Sequence, residues 1–424
     1  MDKQTSTFRW VVFASVLFTY LLMASQRTAP GLITDQIMTD FQVSAATIGL
    51  LTSIQFFVYT GLQIPMGILA DRYGPNFFLI IGAGLTGIGT IVYSLGTHEF
   101  VLFLGRILTG IGDATIWVNM MLILGHWFTG KEFVRLIGLA GMTGSLGFLL
   151  ATVPFSSWID LLGWRGAFLT AGILLCLCGL LLYYVLVKKP AKLPLTNSLS
   201  VKDNMEPEKT LGVVSRIFSN RQAWALFLCH FGVVGAYVGF ISSFAVPYGM
   251  DIYEMTRSGA SQLIMIGLIG ALLGAPLTSW ISSLIGKIKH PYAVVHVVTL
   301  ASWTTFLVFK GTPPFYILVI QFFLIGYGYG SSALTFALVR KSFATKEAGI
   351  VSGFANTGGF LSAVLLPSIL GNILDYFQAS SGNIKLGYQY GFIIPVIFSI
   401  IGLLGVVFIK EKEETRSSSL SLSK

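Results

Sequence analysis

The chain has 424 residues, of which 54% are hydrophobic and only 11% charged, and its mean hydropathy is +0.77. Soluble domains carry about 25% charged residues, so a water-soluble fold is excluded for want of polar side chains to cover it. The net charge of +9 does not imply a nucleic-acid partner, because the basic residues are distributed over loops along the whole chain.

Apolar runs of about twenty residues, enough to cross about 30 Å of hydrocarbon, recur from end to end. They predict an all-α membrane protein with twelve spans, at roughly 10–33, 46–68, 77–96, 100–124, 135–158, 166–187, 222–247, 259–284, 292–309, 313–338, 349–373 and 389–409. The first run, Val11–Ala24, is followed by Ser25, Gln26 and Arg27 without a small-x-small cleavage site, so this span is expected to be retained. Between spans two and three lies Gly67-Ile-Leu-Ala-Asp71-Arg72-Tyr-Gly74-Pro75. Two glycines permit a tight turn, and Asp71 and Arg72 belong at a membrane surface because burying either in hydrocarbon costs roughly 2.5–3.5 kcal/mol. The stretch reads as a hairpin loop. It is either a plain polar turn or a conformational latch in which Asp71 caps a neighbouring helix N-terminus.

The cysteines Cys176, Cys178 and Cys229 lie in apolar runs and read as packing residues. The polar, proline-containing segment 188–221 divides a six-span block, 1–187, from a second, 222–410, and residues 411–424 form a tail. Of the 27 Lys and Arg, twenty-one fall on the side of the N-terminus and four on the other; Arg27 and Arg106 lie within spans. This asymmetry predicts a cell-membrane protein with both termini and the linker in the cytoplasm. The blocks also repeat. Phe128, Lys131, Glu132, Gly138 and Gly144 recur as Phe343, Lys346, Glu347, Gly353 and Gly359 at an offset of 215, and Gly110–Gly112 recurs as Gly326–Gly328 at 216. Duplicated halves imply a pseudo-two-fold axis along the membrane normal with a cavity between them.

Charges inside spans are few. Arg27 either snorkels to the outer interface or faces the cavity, where its fork can hold a carboxylate or phosphate. Asp113 is the one carboxylate well inside a span, seven residues after Arg106. The two share a helix face about 10.5 Å apart and form either a proton-carrying site or a charge-balancing pair that positions helices. His230 is either titratable or a satisfied structural residue. Tyr20, Gln55, Tyr59, Gln63, Asn119, Tyr237, Gln321, Tyr327, Tyr329 and Asn356 are candidates to line a wet cavity. Tyr59 and Gln63, four apart, share a face. No phosphate-binding loop, metal cluster or nucleophile–base set appears, so no enzyme activity, cofactor or metal is expected.

Three motifs together resemble the major facilitator superfamily: the Gly67–Gly74 stretch, Arg106-x-x-x-Gly110-x-Gly112 in span four, and Gly163-Trp164-Arg165-Gly166-Ala167-Phe168 at the entry to span six. The resemblance implies two six-helix bundles that work by alternating access, as a monomer. Trp10, Arg27, the acid of span four and Asn356 are similar to the organic-anion and sugar-phosphate symporter branches. By that likeness Arg27, with Tyr59, Gln63, Tyr237, Tyr327 and Asn356, binds substrate, while Asp113 and Arg106 couple protons. The chain lacks a span-seven arginine and the Gly-Pro signature of span five. It therefore resembles carriers of a carboxylate more than of a phosphate ester, and uptake systems more than exporters. Proton-coupled export of drugs or metabolites is the alternative, and a non-transporting solute receptor a more distant one.

Overall fold

The computed structural model describes residues 3–128, 130–188, 215–343 and 345–411. Most of the expected linker and tail lie outside them, as do several side chains within helices, including those of Asp71 and Arg72. Among the described residues all regular structure is helical. In chain order the α-helices are α1 (Lys3–Ser25), α2 (Thr34–Phe41), α3 (Ala45–Tyr73), α4 (Pro75–Ser94), α5 (Glu99–Ala114), α6 (Ile116–Trp127), α7 (Gly130–Leu150), α8 (Val153–Tyr183), α9 (Arg221–His230), α10 (Ala236–Ile241), α11 (Ala245–Tyr253), α12 (Arg257–Ile285), α13 (Lys289–Val308), α14 (Phe315–Ser331), α15 (Ala333–Ser342), α16 (Thr345–Ser381), α17 (Ile384–Gly391) and α18 (Ile393–Phe408).

Among the described residues, eleven segments are long and apolar enough to cross a bilayer. One of them, Met142–Lys188, has 47 residues and folds back on itself. Phe155 and Phe168 have ring centroids 5.3 Å apart, whereas a continuous helix would separate them by ~20 Å. The reversal is at Gly163, with φ +69°, so the chain crosses twelve times. Just beyond it, the Trp164 indole and Arg165 guanidinium donate to Asp40 of α2 at 2.9 and 2.8 Å.

The hairpin between spans two and three is tighter than expected. Helix α3 continues through Gly67 and on to Tyr73, and α4 starts at Pro75. The turn is Gly74 alone, whose φ of +88° is a backbone conformation that glycine adopts without steric cost. Asp71 and Arg72 therefore ride on the last turn of a helix rather than in a loop.

Several crossings are broken in mid-course, and four of the breaks obey the internal repeat. Turn residues 26–28 after α1 correspond to 242–244 after α10, offset by 216; Thr115 between α5 and α6 corresponds to Ser332 between α14 and α15, offset by 217. A break frees backbone carbonyls that need new partners. Arg106 supplies one, donating from Nη1 to Gln26 O at 3.2 Å and from Nε to Leu51 O at 3.3 Å.

On the face opposite the chain ends, the halves are sealed together. Helices α3 and α16 run antiparallel in close contact, and a Cβ added to Gly49 would lie 2.1 Å from Pro367 O. Asp375 accepts from the backbone N–H groups of Ala45 and Ala46, both at 2.8 Å, an anion seated on a helix N-terminus. Arg257 pairs with Asp35 at 2.7 Å, and Thr34 donates to Ser243 O at 2.8 Å. A side chain at position 49 is incompatible with this packing, so Gly49→Val is expected to disfavour the sealed state. Labelling of Ser368→Cys by an impermeant maleimide added from that face should rise roughly five-fold or more; unchanged labelling would count against a seal made of backbone contact.

Near the chain ends, Glu411 caps α13. Its carboxylate accepts from Ile288 N and Lys289 N at 2.9 Å each and from Lys341 Nζ at 3.0 Å. Burial works against its ionised form, but the two backbone N–H groups and the Lys341 ammonium outweigh it and hold the group below the usual glutamate range. A carboxylate with the lower value in the folded state stabilises fully above about pH 4.3, its unfolded value, and the benefit is lost as pH falls through the folded value. Glu411→Gln should therefore lower the Tm at about pH 7, with the gap to wild type closing as pH falls through the lowered folded value. A gap independent of pH would mean that the carboxylate's charge is not what matters.

Candidate functional site

Between the halves lies a cavity of about 390 Å³. Tyr59 and Arg27 form its floor, and its walls extend to Gln63 on α3 and to Ser352 and Gly353 on α16. On both helices that direction leads away from the sealed face, towards the face that carries the chain ends. Phe360 closes the floor, with its ring 4.5 Å from Tyr59 and 6.0 Å from Phe56. The remaining lining mixes apolar groups such as Trp117, Phe148, Val234, Val238 and Phe336 with polar ones, namely Tyr20, His230, Tyr329, Ser332 and Asn356.

Arg27 does not snorkel. Helix α1 stops at Ser25, two residues before it, but the chain stays buried through Ala29–Leu32, and Arg27 itself is 7% exposed. Its Nε and Nη2 donate to Oδ2 and Oδ1 of Asp113 at 2.7 and 3.0 Å. The pair is bidentate, with two parallel N–H···O bonds. Asp113 lies behind Arg27, next to the break at Thr115, and is 1% exposed. The guanidinium carbon stands 4.9 Å from the centre of the Tyr59 ring, a cation–π contact on its cavity side. Each partner arrives on a broken helix, so both side chains are presented at mid-membrane by locally open backbone.

The face shared by Arg106 and Asp113 does not bring them into one ion pair. The Arg106 guanidinium is spent on Gln26 O and Leu51 O and stands 6.0 Å from the Tyr93 ring. It reinforces the break that carries Arg27 and does not line the cavity. Of the expected lining residues, Tyr20, Tyr59, Gln63, Tyr329 and Asn356 reach the cavity. Tyr327 does not. Two residues from Tyr329, it points about 200° away around α14 and lines a separate apolar pocket with Thr278 and Val298. Tyr237 lies one layer back, stacked on Tyr329 at 5.0 Å and 29°. Gln55, Asn119 and Gln321 are buried in helix packing, and the Asn119 amide adds a second donor to the Thr115 carbonyl at the break in span four. Phe360, Trp117 and Ser332 were missed. Among 33 phenylalanines nothing singles out Phe360, but Ser332 is signalled by its repeat offset from Thr115.

The family model of the Major Facilitator Superfamily matches residues 16–367 and, again, 253–424. A probable hexose phosphate transport protein of Chlamydia trachomatis serovar D is 23% identical, over 88% of this chain and 86% of its own. A probable galactarate/D-glucarate transporter of Bacillus subtilis strain 168 is 23% identical, over 99% and 97%. Among solved structures, the bacterial homolog of the human lysosomal transporter Spinster, inward-facing and unoccupied, superposes with a TM-score of 0.73 at 16% identity, covering 96% of this chain and 97% of that one.

Proposed function

Because the chain belongs to the major facilitator superfamily, we propose that it is a secondary active transporter that carries a small organic anion together with a proton by alternating access. The observation that carries this reading is the bidentate Arg27–Asp113 pair at the floor of a cavity between the halves. A buried guanidinium cannot be left without a counter-ion, since an uncompensated buried charge costs about 3–5 kcal/mol. In the empty carrier Asp113 is that counter-ion. When Asp113 takes a proton, the fork is released and a substrate carboxylate replaces it. Proton and anion therefore load together. Tyr59 holds the guanidinium from its open side, and Gln63 and Asn356 offer hydrogen bonds to the rest of the substrate. Arg106 acts indirectly, by holding the break on which Arg27 sits.

On the basic-residue asymmetry we assign the chain ends to the cytoplasm of a cell membrane, so the cavity faces inward and the seal faces outside. The Gly67–Gly74 segment, with Asp71 and Arg72, is then the inner counterpart of the Asp375 contact and closes when the seal opens. The relatives named above carry anions by name, a hexose phosphate and a sugar diacid, which supports the anion class. Among the described residues lining the cavity Arg27 is the one arginine, which favours a carboxylate. In proteoliposomes, uptake of labelled gluconate, a monoanion, should rise several-fold under an inward proton gradient. Uptake indifferent to the gradient would remove proton coupling, and uptake of organic cations instead would remove the anion assignment.

A further inference from the structure

His230 stands in the cavity wall contributed by the second half, and the coupling scheme above does not use it. It is the last residue of α9, immediately before the π-helical turn Phe231–Gly235, and only 3% exposed. Its Nδ1 lies 3.3 Å from Thr335 Oγ1, which in turn lies 2.7 Å from the Tyr292 hydroxyl. Thr335 and Tyr292 are fully buried. The hydrogen bonds have one consistent direction. Among the described residues Thr335 is the partner of the Tyr292 hydroxyl, so Tyr292 donates to Thr335. Thr335 then spends its own proton on His230 Nδ1. A neutral imidazole that accepts at Nδ1 carries its hydrogen on Nε2, on the ring edge away from Thr335. Asn356 of α16 hydrogen-bonds that ring and shares the cavity wall with it, so the two form one polar unit there, while the neighbouring Val234 and Phe336 are apolar.

We infer that His230, fixed as the Nε2–H tautomer by Thr335 and Tyr292, recognises a second polar group on the substrate, so that the ligand is an acid bearing hydroxyls or a second carboxylate rather than a plain aliphatic acid. This rests on Arg27 holding the first carboxylate. The first half of the protein then grips one end of the substrate and the second half the other, and bringing the halves together needs both ends. The His230–Asn356 unit, set in a mostly apolar wall, also discriminates against an alkyl chain, which would strip it of water and leave part of its hydrogen-bonding capacity unmet. Thr335 and Tyr292 are positioning residues: they set which nitrogen carries the proton and touch no substrate.

The test is equilibrium binding of three probes, hexanoate, gluconate and glucarate, to the purified full chain. Wild type should bind the better of the two polar acids at least about ten-fold more tightly than hexanoate. His230→Leu should collapse that preference to within about two-fold, by weakening the polar acids and leaving hexanoate binding no weaker than in wild type. Thr335→Val should lower the preference and Thr335→Ser restore it; a general packing defect would instead weaken all three acids alike. Should His230→Leu fail to fold, His230→Gln, which keeps a donor, must retain most of the preference while Thr335→Val loses it. Equal binding of the three acids by wild type, or an undiminished preference in His230→Leu and Thr335→Val, overturns the inference while leaving the Arg27 role intact. If Arg27→Ala binds hexanoate as wild type does, the anion site itself is misassigned and the inference falls with it.

Discussion

Arg27→Lys is expected to reduce substrate binding by roughly two orders of magnitude, although it keeps the charge. The wild-type guanidinium meets a carboxylate through two parallel N–H···O bonds and stands 4.9 Å from the centre of the Tyr59 ring. An ammonium offers neither the fork nor the face. Arg27→Ala goes further, because it strands Asp113 in a buried site. Its thermal stability should fall, and the double substitution Arg27→Ala with Asp113→Ala should recover much of that loss, since breaking a buried pair costs more than removing it. Transport should not recover in the double variant. A double variant that is both stable and active in uptake would reduce the pair to scaffolding.

Asp113→Asn is expected to abolish gradient-driven accumulation and to preserve counterflow exchange. The amide mimics the protonated carboxyl in shape and leaves the Arg27 fork free for substrate, so loading persists. What disappears is the step in which Asp113 reclaims Arg27 and expels the anion. Accumulation should drop by at least about ten-fold while exchange stays within a few-fold of wild type. Gradient-driven accumulation at the wild-type level would show that another group takes the proton.

The architecture could be read from the sequence because it is written in local terms. Span length, loop charge and a 215-residue repeat need no knowledge of which helix touches which. Arg27 and Asp113, like Arg106, were visible for the same reason, since any charge in an apolar run stands out. Their partnership was not. Arg27 and Asp113 are 86 residues apart, and helical periodicity pairs Asp113 with Arg106, which instead serves the Gln26 carbonyl at a helix break and the Leu51 carbonyl of α3. Such breaks have no strong residue signature at Gln26–Thr28 or Thr115, and appear only where the two halves are seen to break in register. Likewise, Tyr327 and Tyr329 look equivalent until the rotation of α14 is fixed. Asp375 and Glu411 reach across the chain to cap Ala45 and Ile288, contacts that no local pattern encodes. The segment around Gly74 was misjudged in extent because one glycine suffices to reverse the chain.

The mutual neutrality of Arg27 and Asp113 carries an electrical consequence. The empty carrier moves no net charge at this site, and neither does a carrier holding one proton and a singly charged acid. Such a cycle would be indifferent to voltage. A doubly charged acid carried with one proton would take a negative charge inward, against a negative interior, at a cost of about 2.3 kcal/mol per 100 mV. The same pocket would then accumulate monoanions under a chemical gradient alone, and would require depolarisation, or a further proton, to do the same for dianions.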